Sequence, residues 1–388
     1  MSAKTIYKRI TKYQSVFTIP VLAIASFLGH GFWSFTLPVI VFIFVPIAEF
    51  ISEQSELNMT EAEEAMALED KYYDWLLWLM VPLQYIVIFI GLYLLNHPAG
   101  FFTDFFLKTE PNSLFSGKIW LNAGIGWTHT ELIGKVLSMG ICCGVIGINL
   151  GHELGHRVTP HERFMAKTLL LTSLYMHFFI EHNRGHHKHV ATDQDPASSR
   201  RGEMLYFFWI RTVIYSYISA WKLESERLKR ANQPFFSLQN EMIRFQLIQI
   251  AFVGIIYFIF GLKPMIFFLV AAVLGFLLLE TVNYVEHYGL HRKKTATGNF
   301  ERVLPVHSWN SNHRIGRQFL FELTRHSDHH YMASRKYQIL RHFDESPQMP
   351  FGYPAMILLS TFPPLWFYIM HRRIDDYRKQ LPEGAALD

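Results

Sequence analysis

Twenty of the 388 residues are histidine, and sixteen of them fall in two windows, eight in 152–189 and eight in 287–342. Within these windows three groups repeat short spacings. His152-Glu-Leu-Gly-His156 places two imidazoles at i, i+4, one turn apart on a single helix face. His182-Asn-Arg-Gly-His186-His187 and His326-Ser-Asp-His329-His330 follow, with a single His287 after Glu286. Neutral imidazole nitrogen is a good ligand for zinc, copper, iron and nickel. Nine such rings are too many for one tetrahedral ion. They suit two ions with four or five ligands each, at bonds of about 2 Å. The two cysteines, Cys142 and Cys143, are adjacent inside an apolar run, which excludes a disulfide framework and a cysteine-based zinc or iron–sulfur site within the chain. For redox work iron is the better fit, and for hydrolysis zinc.

Other chemistries share parts of this pattern. His152–His156 satisfies H-E-x-x-H with Glu153 as would-be base, as in zinc metalloproteases. Such an enzyme needs one further ligand and an open water position, and has no use for seven more histidines. A metal transporter would place its ligands mid-span, whereas these lie beyond the ends of apolar runs. The remaining isolated histidines read as interfacial or hydrogen-bonded residues, with His291, His307 and His313 as neighbours of ligands. Glu181, Glu286 and Asp328 each stand near a candidate ligand, and Asp193 and Asp195 follow in a loop. Any of them could accept an imidazole N–H and fix its tautomer, or be an ordinary solvated acid.

The elements that must position these rings are membrane helices. Half of the residues are hydrophobic and 18% are charged, against roughly 25% charged in soluble domains. Six apolar runs are long enough for spans, at about 20 residues each: 14–33, 35–51, 75–95, 132–150, 243–261 and 264–285. Tight turns at Gly31–Ser34 and Gly261–Pro264 join the first and last pairs. Weaker stretches at 164–180, 204–221 and 351–370 read as interfacial or bundle-packed segments. The N-terminal Lys4, Lys8, Arg9 and Lys12 and the C-terminal Arg372, Arg373, Arg378 and Lys379 place both termini in the cytoplasm. The histidine windows then also face the cytoplasm. Residues 97–130 form the one long outer loop, and Glu61–Asp70 a solvated helix.

With these motifs in hand, the chain resembles the bacterial integral-membrane alkane 1-monooxygenases. The resemblance rests on Asn149-Leu-Gly-His-Glu-Leu-Gly-His-Arg157, Phe179-Ile-Glu-His-Asn-Arg-Gly-His-His187, Arg325-His-Ser-Asp-His-His330 and Asn283-Tyr-Val-Glu-His-Tyr-Gly-Leu290. The last separates the alkane hydroxylases from other histidine-box enzymes, the acyl desaturases and related membrane hydroxylases. The resemblance implies one monooxygenase domain: an all-α integral membrane protein of six transmembrane helices, with a cytoplasmic helical cap (152–242 and 286–388) carrying a non-haem di-iron site. Carried over by motif, the ligands are His152, His156, His182, His186, His187, His287, His326, His329 and His330. It further implies terminal hydroxylation of linear alkanes with O2 at the bacterial inner membrane. Electrons would come from NAD(P)H through a rubredoxin reductase and a rubredoxin, expected here as a separate protein because no C-x-x-C pair is present. Phe42, Phe44, Phe276 and Leu278 are expected to line the alkane channel. Arg200, Arg201, Arg292, Lys293 and Lys294 are expected to dock the carrier, with anionic lipid as the competing explanation of their charge.

Overall fold

Inside a bilayer an apolar run can satisfy its own backbone only as a helix or a closed barrel. The computed structural model describes residues 12–97 and 127–380. It is helical, with isolated bridges and no β-strand among the described residues. In chain order the helices are α1 (Gln14–Leu28), α2 (Gly31–Ile51), α3 (Glu61–Glu69), α4 (Lys71–Asn96), α5 (His129–Gly155), α6 (Pro160–Leu171) and α7 (178–189). They continue with α8 (Leu205–Arg230), α9 (Glu241–Phe260), α10 (Leu262–His287), α11 (Arg314–Phe319), α12 (His326–Tyr331), α13 (Tyr353–Ser360) and α14 (Pro363–Gln380). Lys4, Lys8 and Arg9, and most of the expected outer loop, lie outside the described residues.

Five helices, α2, α4, α5, α9 and α10, are long and apolar enough to cross a membrane. The first expected span is shorter than drawn from sequence: α1 ends at Leu28, and the chain turns through Gly31, whose φ of 55° favours glycine. Gly261, at φ 91°, makes the corresponding turn between α9 and α10. The weaker apolar stretches fold as α6, α8, α13 and α14, none of which meets the length and apolarity of a span. Helix starts follow local chemistry. Thr60 with Glu63 and Thr128 with Glu131 form capping boxes, and the Asn240 side chain accepts from the N–H groups of Met242 and Ile243.

α5 is the central helix, with 72% of its apolar window buried, while α9 has only 11% buried and faces outward almost all round. The approach of α5 to α10 depends on glycine. A Cβ built on Gly275 would stand 2.6 Å from Cys143 Cβ, and one on Gly144 2.9 Å from Leu278 Cδ2. This closeness brings the ends of α5 and α10, which carry His152 and His287, together. Three π-helical turns interrupt the regular helices, at Ile40–Phe44, Cys143–Ile148 and His182–His186. Such turns widen the helix and redirect side chains.

Gly254, on α9, has nothing within 4 Å of a built Cβ. Gly275→Leu is therefore expected to cost about 1–3 kcal/mol through overpacking, read as a lower melting temperature of the detergent-solubilised protein. Gly254→Leu should melt with the parent. Equal melting of the two variants would contradict the tight α5–α10 seam.

Candidate metal centre

The nine ring nitrogens converge in two abutting groups. His152, His156, His182, His187 and His329 form one, and His186, His287, His326 and His330 the other; within each, the potential ligand atoms all lie within 4.8 Å of one another. The rings of His187 and His330 bring the groups together, with centroids 4.5 Å apart.

Local helix geometry decides which ring goes where. At the end of α5 the i, i+4 pair His152 and His156 shares a face, with Nε2 atoms 3.1 Å apart. In α12, His326 and His330 pair in the same way, at 2.8 Å, while His329 turns to the other group. α7 differs because His182–His186 is a π-helical turn, which aligns residues five apart. His182 and His187 therefore face the five-ring group with Nε2 atoms 3.0 Å apart, and His186 faces the four-ring group. His287 arrives as the last residue of α10.

The donor set fits a pair of cations. Neighbouring Nε2 atoms within the groups stand 2.8–3.3 Å apart. Ligand–ligand edges around an ion with bonds near 2.0 Å are about 3.3 Å in a tetrahedron and about 2.8 Å in an octahedron. A neutral imidazole has one N–H and one lone pair, so rings that present Nε2 to one another cannot all be mutual donors and acceptors. Asp195 settles one tautomer. Its Oδ2 lies 2.8 Å from His186 Nδ1, which puts the proton there and leaves the Nε2 lone pair for a metal. Burial pushes the rings of His182, His187, His326, His329 and His330 well below the ordinary 6.5 of imidazole, because a second proton in the crowded cluster would meet no water, and it pushes His156 to about 3. These six are then neutral and ready to ligate.

The acids expected behind the rings are placed differently from one another. Burial raises the Asp195 carboxyl, but the adjacent His186 and Ser198 outweigh it and hold Asp195 below its usual range. Glu286 lies on the ligand side of its ring, with Oε2 3.1 Å from His326 Nε2 and Oε1 accepting from Tyr353 Oη at 2.6 Å. It thus offers an oxygen to the four-ring group. Asp328 is engaged instead by Arg335 and by the Arg341 N–H. Asp193 is solvent-exposed, 3.8 Å from His291. Glu181 is buried, and its Oε1 has no hydrogen-bond partner. His307 and His313 bond to Glu301 and Ser311, outside both groups.

A cavity of about 110 Å³ adjoins these rings. Its walls come from α1, α2, α5, α7, α10, α11 and α13, and His152, His182 and His326, from both groups, are part of its lining. Phe42 and Leu278 are among its lining residues. Phe44 is not: it is 60% exposed on the outer face of α2. Phe276 stacks on Tyr175 instead, centroids 4.9 Å apart. Asn149 and Asn283 also line the cavity, and sequence reasoning passed over both as lining residues. It also passed over Glu280, an acid within an apolar helix. Such a residue is a functional signal by default, and Glu280 is bound by Tyr175 Oη and Thr212 Oγ1, each at 2.8 Å. Of the expected docking residues, Arg200 and Lys294 are exposed. Arg201 pairs with Asp375, and Arg292 donates to the carbonyls of Lys188, Val190 and Glu301. The Lys293 N–H donates to Glu301.

Removing a partner behind a ligating ring typically weakens metal binding about 10–100-fold. Asp195→Asn is therefore expected to lose metal at that scale in chelator competition, while Asp193→Asn retains the parent affinity. Equal retention by both variants would remove Asp195 from this role.

The fatty acid desaturase family profile matches residues 127–372. Alkane 1-monooxygenase of Acinetobacter baylyi is 37% identical over 93% of this chain and 84% of its own length. Alkane 1-monooxygenase 2 of Pseudomonas aeruginosa is 39% identical over 89% and 85%. The hydroxylase component of a xylene/toluene monooxygenase from Pseudomonas putida is 30% identical over 62% and 63%. The chain belongs to the alkane 1-monooxygenase family.

Proposed function

We propose that the protein hydroxylates the terminal carbon of linear alkanes, using O2 and two electrons, at a pair of non-haem irons held by the five- and four-histidine groups. The observation that carries this reading is an apolar cavity, walled in part by α2, α5 and α10, that is lined by rings from both groups. The irons would supply reduction of O2 and oxidation of an unactivated C–H bond, chemistry that side chains cannot perform alone. The chain's own residues do the rest. Most of the cavity wall is aliphatic and aromatic, with Asn149, Asn283 and Glu286 among the polar residues near the rings, so it takes an apolar chain from the bilayer and excludes water. The chain enters end-on, and positioning then favours the methyl group over the weaker secondary C–H bonds. Asp195 fixes the His186 tautomer, and Tyr353 holds Glu286 against the four-ring group.

The whole chain acts as one monooxygenase domain in the bacterial inner membrane, with the metal centre on the cytoplasmic side. The excess of Lys and Arg over Asp and Glu in 152–242 and 286–345, 12 against 9 and 10 against 6, supports that orientation. A rubredoxin, reduced by an NAD(P)H-dependent reductase, supplies the electrons. Exposed Arg200 and Lys294 are the remaining candidates for its docking.

The test is the purified protein in lipid nanodiscs with rubredoxin, its reductase, NADH and octane or hexadecane. Expected are 1-alkanol formation that requires O2, and close to two irons per chain. Conversion of acyl groups to olefins with the alkane untouched, or a single zinc per chain, would overturn the reading. The cavity adds a second expectation. Leu278→Trp narrows it and should shift product formation toward shorter alkanes, whereas Phe44→Trp, on the outer face, should leave the chain-length profile unchanged. Parallel shifts in both variants would place the substrate path elsewhere.

A further inference from the structure

α8 is built inside-out for a helix in water. Its buried face mixes Thr212, Ser216 and Glu224, each at most 5% exposed, with Leu205, Phe208, Ala220 and Leu228, whereas its exposed stripe begins with Tyr206, Phe207, Ile210, Ile214 and Ile218, each 39–62% exposed. A large exposed apolar stripe opposite a face that buries polar groups is the informative departure from the usual pattern. Three polar side chains of the helix are engaged. Thr212 Oγ1 donates to Glu280, Trp209 Nε1 donates to Thr281 at 3.0 Å, and Glu224 receives Arg184 and Arg227. These contacts fix α8 beside the last two turns of α10.

A second exposed apolar group follows. Phe235, Phe236 and Leu238 are 39%, 87% and 69% exposed, in the loop that leads directly into α9 at Glu241. Phe235 packs on Trp221 of α8, with centroids 5.8 Å apart, so stripe and loop are one surface. That surface continues onto α9, where Leu247, Ile248 and Ile250 are exposed. Along α8 the exposed side changes from apolar to charged after Ile218. Lys222, Lys229 and Arg230 are exposed there, and Arg244 opens the same end of α9. Glu226 is the exposed acid among them.

We propose that α8 and the 235–238 loop form an interfacial membrane anchor at the histidine end of the bundle. The apolar stripe and the Phe235–Leu238 tip lie in the leaflet, and the adjoining Lys and Arg side chains bind anionic lipid headgroups. Continuity with the outward face of α9 identifies the occupant as lipid, and the cluster of cations identifies its sign. The proposal rests on reading α9 and α10 as spans. It is independent of metal and reaction, so the alkane assay and the test below fail separately.

Spin labels report it. Cys142 and Cys143 are fully buried, so Phe236→Cys and, separately, Ile214→Cys can be labelled with a nitroxide, with the parent protein as the background. Folding is checked by monodispersity before reconstitution into nanodiscs of phosphatidylcholine with or without phosphatidylglycerol. Expected at both sites is collision with O2 exceeding collision with a water-soluble nickel chelate. Phosphatidylglycerol should deepen the 236 label, and Lys229→Gln with Arg230→Gln and Arg244→Gln should abolish that shift. Nickel access exceeding O2 access at both sites would overturn the anchor. Protection from both reagents would also overturn it, in favour of contact with a second copy of the chain. Depth unaffected by lipid charge would overturn the headgroup assignment.

Discussion

Nine imidazole nitrogens brought within ligand distance of one another are the constraint around which the rest is built. Neutral rings that present lone pairs inward repel, and burial removes the water that would separate them. A cation at the centre of each group turns that repulsion into attraction. The Nε2–Nε2 edges of 2.8–3.3 Å already have the dimensions of coordination polyhedra. The nine rings come from α5 and the residue after it, α7, α10 and α12, elements separated by long stretches of sequence. Any looseness in how these four helices meet would open the groups, so their packing is held by devices outside the site.

Two kinds of device do this. Between spans, backbones approach at glycine: α5 meets α10 through Gly144 and Gly275 with no room for a Cβ. Outside the spans, buried ions tie loops to helices. Arg184 of α7 reaches Glu224 of α8 and Glu241 of α9. The turn before α12 carries two successive non-glycine residues at positive φ, Phe321 at 51° and Glu322 at 57°, a conformation that stores strain. Glu322 holds it by pairing with Lys12 and Arg317 and accepting from Tyr13 Oη. Burial pushes the Glu322 carboxyl up, but Lys12, Arg317 and Arg325 outweigh it and bring it to about 2. Arg325, adjacent to His326, donates to the carbonyls of Leu57 and Leu340. The third histidine cluster is thus clamped from the N-terminal segment.

Spacing carried much of this. The i, i+4 pairs His152–His156 and His326–His330 are legible because an ordinary helix puts them on one face, and long apolar runs reveal α2, α4, α5, α9 and α10. The partition of His182, His186 and His187 was not legible. It depends on a π-helical turn, and a reading in steps of 3.6 residues would pair His182 with His186. Proximity in sequence also misled for the acids. Asp328 sits inside a histidine cluster yet turns to Arg335 and Arg341, while Asp195, nine residues beyond His186, folds back to it. Helix rotation about its own axis is set by packing, so Phe42 and Phe44, two residues apart, point to cavity and exterior respectively.

The position of the centre at the ends of spans follows from what meets there. An apolar chain needs a dry route from lipid, and the proposed one is the apolar cavity lined by residues of α1, α2, α5 and α10. Electrons and protons arrive only from water. A site in mid-bilayer would serve the first need and isolate the second, while a site out in the aqueous layer would do the reverse. His152 and His287 lie at the ends of α5 and α10, His156 directly follows α5, and α7 and α12 supply the other six rings outside the spans. The centre is therefore assembled where both supplies are a few residues away. The buried polar groups on α8, inward-facing on a helix whose outside is apolar, are the same boundary condition expressed in a neighbouring element: polar contacts belong toward the protein interior wherever lipid takes the place of water.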